Sequence, residues 1–364
     1  MQPKLLNPGP VSLTARVRAA LGRGDMCHRE ADFAALARDV VDQLGRVYPE
    51  AQASHVPVLL TASGTGAVEA MVGTLVPRDG RALVVANGVY GERVADMLRA
   101  QGKAHDVVRS AWTAPMDVRE ATRRLDAGGF THVVAIHHET TTGRLNDVDA
   151  LGRACAARGV PLLLDAVSSF GGEALRFADW SVAACAATAN KCLHGVPGVA
   201  FVLVARDALD RPSGATSVYL DLRRYVDEQA RGVFPFTPAV HALFALDEAL
   251  RELRDEGGVD GRRARYRALS ARLRSGMRAL GLQTLIDEGD LSCTLTSYRL
   301  PASIAYDALH DALRGAGFVV YAGQGDFRGS VFRVAVMGDL TLADVDRLVT
   351  EVKRVLEGPH TRPT

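Results

Sequence analysis

Cysteine is scarce in this sequence and unpatterned: Cys27, Cys155, Cys185, Cys192 and Cys293 form an odd, scattered set with no C-x-x-C spacing. That argues against a disulfide framework and a metal site of the zinc type, and it fits a reducing cytoplasm. An excess of either charge is missing too. Lysine plus arginine number 43 against 42 aspartates plus glutamates, a formal charge of +1, so no global field draws the chain to nucleic acid or to a membrane surface. Small molecules, or a second copy of the chain, are the partners this leaves. No uninterrupted apolar run approaches the roughly 20 residues that span a bilayer. The nearest stretch, 181–205, is broken by Lys191, His194, Pro197 and Gly198, and it reads instead as buried core strands around a turn. The start, MQPKLLNPGPVSLTARV, has no apolar segment of signal-peptide length, and its Pro-Gly-Pro would break an early helix. Internal repeats and low-complexity tracts are absent.

At 364 residues the chain exceeds what one hydrophobic core usually organises, roughly 250 to 300 residues, so two lobes are expected. Short β-branched runs alternate with helical patterns: VPVLL (56–60), ALVVA (82–86), THVVAIH (131–137), PLLLD (161–165) and VAFVLV (199–204). The alternation predicts a mostly parallel sheet covered by helices on both faces. GERVADMLRAQG and DALGRACAARG, between strands, carry helical spacing and end in Gly. From Thr237 a longer helix is expected, with Leu243, Leu246, Leu250 and Leu253 on one face and a stop at Gly257-Gly258. An arginine-rich helix, GRRARYRALSARLRSGMRALG, follows. Strands near SCTLTSYRL and SVFRVAVM, with helices near SIAYDALHDALRGAG and from Leu342, then read as a smaller α+β lobe.

Three places carry candidate chemistry. In TASGTGAVEAMVGTLV (61–76), Ser63, Gly64 and Thr65 fall between a strand and a helix, where free N–H groups, hydroxyls and the helix dipole favour an anion. The lysine of a P-loop is missing, and an ordinary helix cap leaves the same trace. LLLDAVSSFGG ends a buried strand in Asp165, at the strand end where open α/β sheets bind ligands. A carboxylate there needs a cationic partner, in a site or in a structural ion pair, or it caps a helix. Lys191 stands almost alone in a small and apolar segment, ATANKCLHGVPGVAFVLVA. Desolvation lowers a lysine pKa and makes the amine nucleophilic, although a lysine can also snorkel to the surface.

Taken together, the cup, the strand-end carboxylate and a lysine 26 residues beyond it resemble the layout of fold-type I pyridoxal-phosphate enzymes. From LLNPGPVSLT to FRVAVMG the sequence resembles the class V aminotransferases. The resemblance implies an α/β fold of fold type I, with a mostly parallel sheet between helices in a large domain and a smaller α+β C-terminal domain. The expected division is an N-terminal segment 1–14, a large cofactor-binding domain 15–256 and a small domain 257–364. It implies pyridoxal 5'-phosphate as cofactor, with Lys191 holding its aldehyde and Asp165 keeping its pyridine nitrogen protonated. By the same resemblance, Thr65 and the backbone of Gly64, beside Ser63, hold the cofactor phosphate, and Tyr90 (ANGVYGER) stacks on the ring. Thr142 (ETTTG) bonds the ring hydroxyl, and Asn190 fixes the phosphate or the lysine loop. Thr237 (FPFTPAVHA) reaches the phosphate of the opposite subunit in a homodimer with shared active sites, or caps the next helix with Pro238 at its first position, or does both. Arg333 (VFRVAVMG) receives the substrate carboxylate through its planar fork.

Within the class, HHETTTGRLND, DAVSSFGGE and ANKCLHGVPGVAFV are most similar to the 2-aminoethylphosphonate:pyruvate aminotransferases. That implies transfer of the amino group of 2-aminoethylphosphonate to pyruvate, giving phosphonoacetaldehyde and alanine. DMCHREADF (25–33) departs from this branch, since His28 and Arg29 resemble the Gly-His-Arg of other class V members. The departure keeps an alanine or serine:glyoxylate aminotransferase, or a related phosphonate-biosynthetic aminotransferase, open as an alternative, and it makes Arg29 a candidate substrate contact. A desulfurase or lyase on the same fold would want a mobile reactive cysteine, a role not expected of Cys192 beside the lysine. A cofactor-free binding protein is disfavoured by the joint presence of the cup, Asp165 and Lys191.

Overall fold

The computed structural model describes residues 2–358. Its centre is a seven-stranded sheet in the spatial order His55–Leu60, Ala200–Ala205, Val182–Thr188, Leu162–Asp165, His132–Ile136, Arg81–Ala86, Ala104–Arg109. Neighbours run parallel except Ala200–Ala205, which is antiparallel to both strands beside it. The inner strands are buried along their whole length because helices cover both faces, which is why they read as unbroken apolar runs. Successive residues point to opposite faces. On one, Gly64–Leu75, Val89–Ala100 and Leu222–Ala230 bring Val68, Met71, Leu98 and Tyr225 into a core with Val84, Val134 and Val202. On the other, Ala31–Gly45, Val148–Ala156 and Val240–Asp255 bring Phe33, Leu151 and Leu246 together with Leu83, Val133 and Phe201.

Two elements lie outside the sequence expectation. Ala104–Arg109 is an edge strand with Val108 as its one buried residue, so it lacks the apolar run that marks its neighbours. The helix Ala31–Gly45 begins inside DMCHREADF, and Phe33, Leu36, Val40 and Leu44 lie on its buried face. One expected helix start is also displaced. The long helix begins at Val240 behind Ala239, whose N–H donates to Thr61 Oγ1 at 3.0 Å. Thr237-Pro238 therefore does not form the cap and first turn: a hydroxyl from the far end of the strand His55–Leu60 does the capping.

The order of strands reverses at Arg81–Ala86. Ala104–Arg109 lies on one side of it and the next strand, His132–Ile136, on the other, so the carboxyl ends of Arg81–Ala86 and His132–Ile136 flank the crevice where open α/β sheets take ligands. After a turn at Gly257 (φ 94°) and Gly258 (φ 70°), conformations that a Cβ disfavours, the arginine-rich helix runs Gly258–Ala279. It packs with an antiparallel sheet ordered Leu295–Arg299, Val331–Ala335, Tyr321–Ala322 and with helices Tyr306–Gly315 and Leu342–Glu357. The start of the chain joins this lobe. Lys4–Leu5 pairs parallel with Phe318–Val319, and Leu6 and Val11 share a core with Tyr266, Phe318 and Phe332. We retain the division into 1–14, 15–256 and 257–364 as a proposal, of which residue 1 and residues 359–364 lie outside the described residues.

Candidate active site

Lys191 stands on the turn joining Val182–Thr188 to Ala200–Ala205. The turn is pinned on either side of it: Thr188 Oγ1 donates to Asn190 Oδ1 at 2.8 Å, and Gly195 N donates to Ala189 O at 2.8 Å. The ammonium has no hydrogen-bond or ion-pair partner among the described residues. Burial brings its pKa down to about 8, helped by the positive fields of Arg333 and Arg93 and opposed by Cys192 and Asp165. A Cβ on Gly9 would come 2.6 Å from Lys191 Cδ. Glycine at that position, with φ 126°, thus allows the N-terminal segment to close against the lysine's methylenes.

Asp165 ends its strand, with Oδ1 accepting from Val167 N at 2.9 Å and Oδ2 without a donor among the described residues. Burial raises its carboxyl to about 6, against the fields of Arg93 and Lys191, so it is ionised at neutral pH. Among the described residues it forms no salt bridge, so the structural ion pair considered from the sequence is not made.

Ser63 is the cap of the helix Gly64–Leu75, its Oγ accepting from Gly66 N at 3.3 Å. Thr65, exposed in the first turn, accepts from Arg93 Nη1 at 3.4 Å. The guanidinium of Arg93 lies 4.8 Å from the centroid of the Tyr90 ring. Tyr90 N donates to Glu139 Oε2 at 3.3 Å, tying the start of the helix Val89–Ala100 to the loop after His132–Ile136. On that loop Thr142 is fully buried, and its Oγ1 has no partner. Arg333 is buried and bonds only neutral oxygens: Nε to Ala322 O at 2.9 Å, and Nη1 to Thr140 O at 3.0 Å and Gln324 Oε1 at 3.2 Å. Its Nη2 has no acceptor among the described residues, and its charge is uncancelled.

Thr237 and Arg29 are exposed, and among the described residues neither side chain makes a hydrogen bond or ion pair. The chain by itself does not bring them to Lys191. Three further residues do converge there without having been singled out. Arg93 follows Tyr90 by three positions, the helical spacing that puts both on one face, and Glu92 beside it is taken by Arg109, which leaves Arg93 without a carboxylate. Glu139 is fully buried, and its carboxyl is raised to about 7 by burial despite the N–H groups of Thr141 and Tyr90. That lone acid inside HHETTTG was a legible signal. Gly9 was not, because only the fold sets it against the lysine.

The neighbouring histidines do not act as acids at neutral pH, since burial holds His137 and His138 down at about 4. Burial likewise pushes the Cys192 thiol up to about 12, which fits its expected inertness. The donors that remain suit pyridoxal 5'-phosphate. They are a helix start for the phosphate, a carboxylate without a salt bridge, an unpartnered amine, and the buried, unpartnered hydroxyl of Thr142.

A family model for aminotransferase class-V matches residues 19–348. A 2-aminoethylphosphonate–pyruvate transaminase of Syntrophobacter fumaroxidans is 38% identical over 357 residues, covering 96% of this chain and 95% of its own. A protein of the same name from Burkholderia pseudomallei is 39% identical over 361 residues, covering 98% and 97%. Among solved structures, an aspartate aminotransferase of subgroup IV from Thermus thermophilus superposes with a TM-score of 0.87 at 27% identity, over 97% of this chain and 99% of that one. The architecture is that of fold-type I aminotransferases, and the chain belongs to the class V aminotransferases, a family generally dependent on pyridoxal phosphate.

Proposed function

We propose that this aminotransferase, with pyridoxal 5'-phosphate, moves the amino group of 2-aminoethylphosphonate to pyruvate, yielding phosphonoacetaldehyde and alanine. The observation that carries this reading is the pair of cations in one cleft, an unpartnered Lys191 and an Arg333 bonded only to neutral oxygens. The names of relatives at 38% and 39% identity over nearly the whole chain support the substrates. When bound, the cofactor supplies an electron-accepting ring that stores the amino group between the two halves of the reaction.

The chain's residues do the rest. Ser63, Gly64 and Thr65, with Asn190 behind them, receive the phosphate at the helix start. Tyr90 covers one face of the ring, and Thr142 offers its hydroxyl to the ring oxygen. Asp165, ionised above about 6, keeps the ring nitrogen protonated. Lys191, titrating at about 8, has a free-base fraction near neutral pH, so Nζ can take the proton from the carbon bearing the donor's amine and return it on the other side. Arg333 Nη2 and the fork it belongs to receive the phosphonate of the donor and then the carboxylate of the keto acid.

Thr237 completes the phosphate site of a second copy in a homodimer, and Arg29, equally free in its own chain, contributes to substrate binding by the same route. The compartment proposed with this activity is the cytoplasm, which the five unpaired cysteines suit. The test is a donor profile on the cofactor-loaded enzyme. 2-Aminoethylphosphonate with pyruvate should exceed alanine or serine with glyoxylate in kcat/KM; the reverse order would move the enzyme to the glyoxylate reading that DMCHREADF kept open.

A further inference from the structure

A second cationic site lies between the lobes. The residues Arg263, Arg267, Arg274 and Arg278 of the helix Gly258–Ala279 fall within roughly 60° of its circumference at 3.6 residues per turn. They wall a cavity of about 520 Å³ whose other sides come from Glu173 of the large lobe and Glu288 of the small one. It shares no residue with the site around Lys191.

The charges in this cavity do not cancel. Glu288 pairs with Arg278, and Glu173, buried, approaches Arg263 at 3.3 Å. The remaining two guanidinium groups have no carboxylate. Arg274 donates only to neutral oxygens, Thr296 Oγ1 at 3.0 Å and Ser292 O at 2.6 Å. Arg267 has no side-chain partner among the described residues. Arg263 Nε is buried and meets Glu173 Oε2 at 3.3 Å outside hydrogen-bond geometry, while Glu173 Oε1 accepts from Cys293 N at 2.8 Å. Two guanidinium groups without an ion-pair partner, exposed Arg267 and half-buried Arg274, line one open cleft and make a receptor for a small multivalent anion.

We propose that this cavity binds a small molecule bearing a phosphate or phosphonate dianion, at a site separate from the catalytic cleft. The volume exceeds what a single phosphate fills, so pyrophosphate is the appropriate probe.

The experiment is calorimetric titration of the cofactor-loaded enzyme with inorganic pyrophosphate, run on wild type, Arg267→Ala, Arg267→Lys and Arg333→Gln. One pyrophosphate per chain is expected in wild type and in Arg333→Gln. Arg267→Ala should weaken it by about tenfold or more, the scale of one charge-assisted contact, and Arg267→Lys should recover most of the loss. Arg267 is exposed and its side chain makes no hydrogen bond or ion pair among the described residues, so its variants should melt as wild type does. Binding that disappears with Arg333 and survives Arg267→Ala would place the anion in the catalytic cleft and overturn the proposal. So would the absence of any heat in wild type, which would leave the arginines as a solvated face.

Discussion

Lys191 and Arg333 illustrate how single residues are tuned here by what is withheld from them. Neither has a bonded carboxylate, and the field of Arg333 is one reason the lysine titrates at about 8. Arg333→Lys keeps the charge and loses the fork. The substrate complex should weaken by about 2 to 3 kcal/mol, seen as a joint fall in kcat/KM for donor and pyruvate; a loss confined to one substrate would assign Arg333 to that half-reaction alone. Glu139 invites a different measurement. Its carboxyl is raised from 4.5 to about 7 by burial, so between those values the folded chain holds a proton that the unfolded chain has released. That contribution to the stability of the cofactor-free protein falls as pH rises from about 4.5 to about 7, and Asp165, raised to about 6, adds to it, whereas His132, His137 and His138, lowered by burial to about 4, contribute stability that rises with pH over much of the same range. Glu139→Gln removes the falling contribution, so the slope of melting temperature against pH across that window should shift in the positive direction relative to wild type. An unchanged slope would show that another group carries the proton.

At the scale of elements, the informative case is the N-terminal segment. It has one short strand, Lys4–Leu5, yet it reaches both the core of the small lobe through Leu6 and Val11 and the catalytic lysine through Gly9. Gly9→Ala meets two obstacles, a backbone at φ 126° and a Cβ 2.6 Å from Lys191 Cδ. Turnover should drop by about tenfold or more, since small misplacements of a reacting group are costly, while far-UV circular dichroism stays as in wild type. Normal turnover would show that the segment can shift without disturbing the lysine. Nothing in NPGP reveals this contact, because a glycine in a turn looks the same wherever the turn lands. The inner strands were legible for the opposite reason: burial on both faces imposes an apolar residue at every position of Leu162–Asp165 and its neighbours. The edge strand AHDVVR, relieved of that constraint, left no such trace.

For the whole molecule the open quantity is its number of copies. Thr237 is exposed, makes no side-chain hydrogen bond among the described residues and does not cap the helix behind it, which leaves the role across a dimer as the reading proposed for it. Sedimentation should give the mass of two chains, and Thr237→Ala should weaken cofactor binding by about tenfold, one hydrogen bond to a charged group, measured by quenching of protein fluorescence on cofactor addition. A fully active monomer, or unchanged cofactor affinity in the variant, would return Thr237 to an ordinary surface residue.

The sequence by itself determined the alternation of buried strands and helices, the helix start at Ser63, and the order of cup, carboxylate and lysine, because each of these is written in residues close together in the chain. Periodicity and capping act over a few positions and survive in any context. Tertiary structure alone decided what each of those groups faces. Arg333 meets Thr140 across 193 positions of chain, Ala239 takes its cap from Thr61 across 178, and Glu173 closes a cavity against the arginines of a helix ninety and more positions beyond it. Such pairings depend on how whole elements pack, and no local pattern encodes the partner that a distant element will bring.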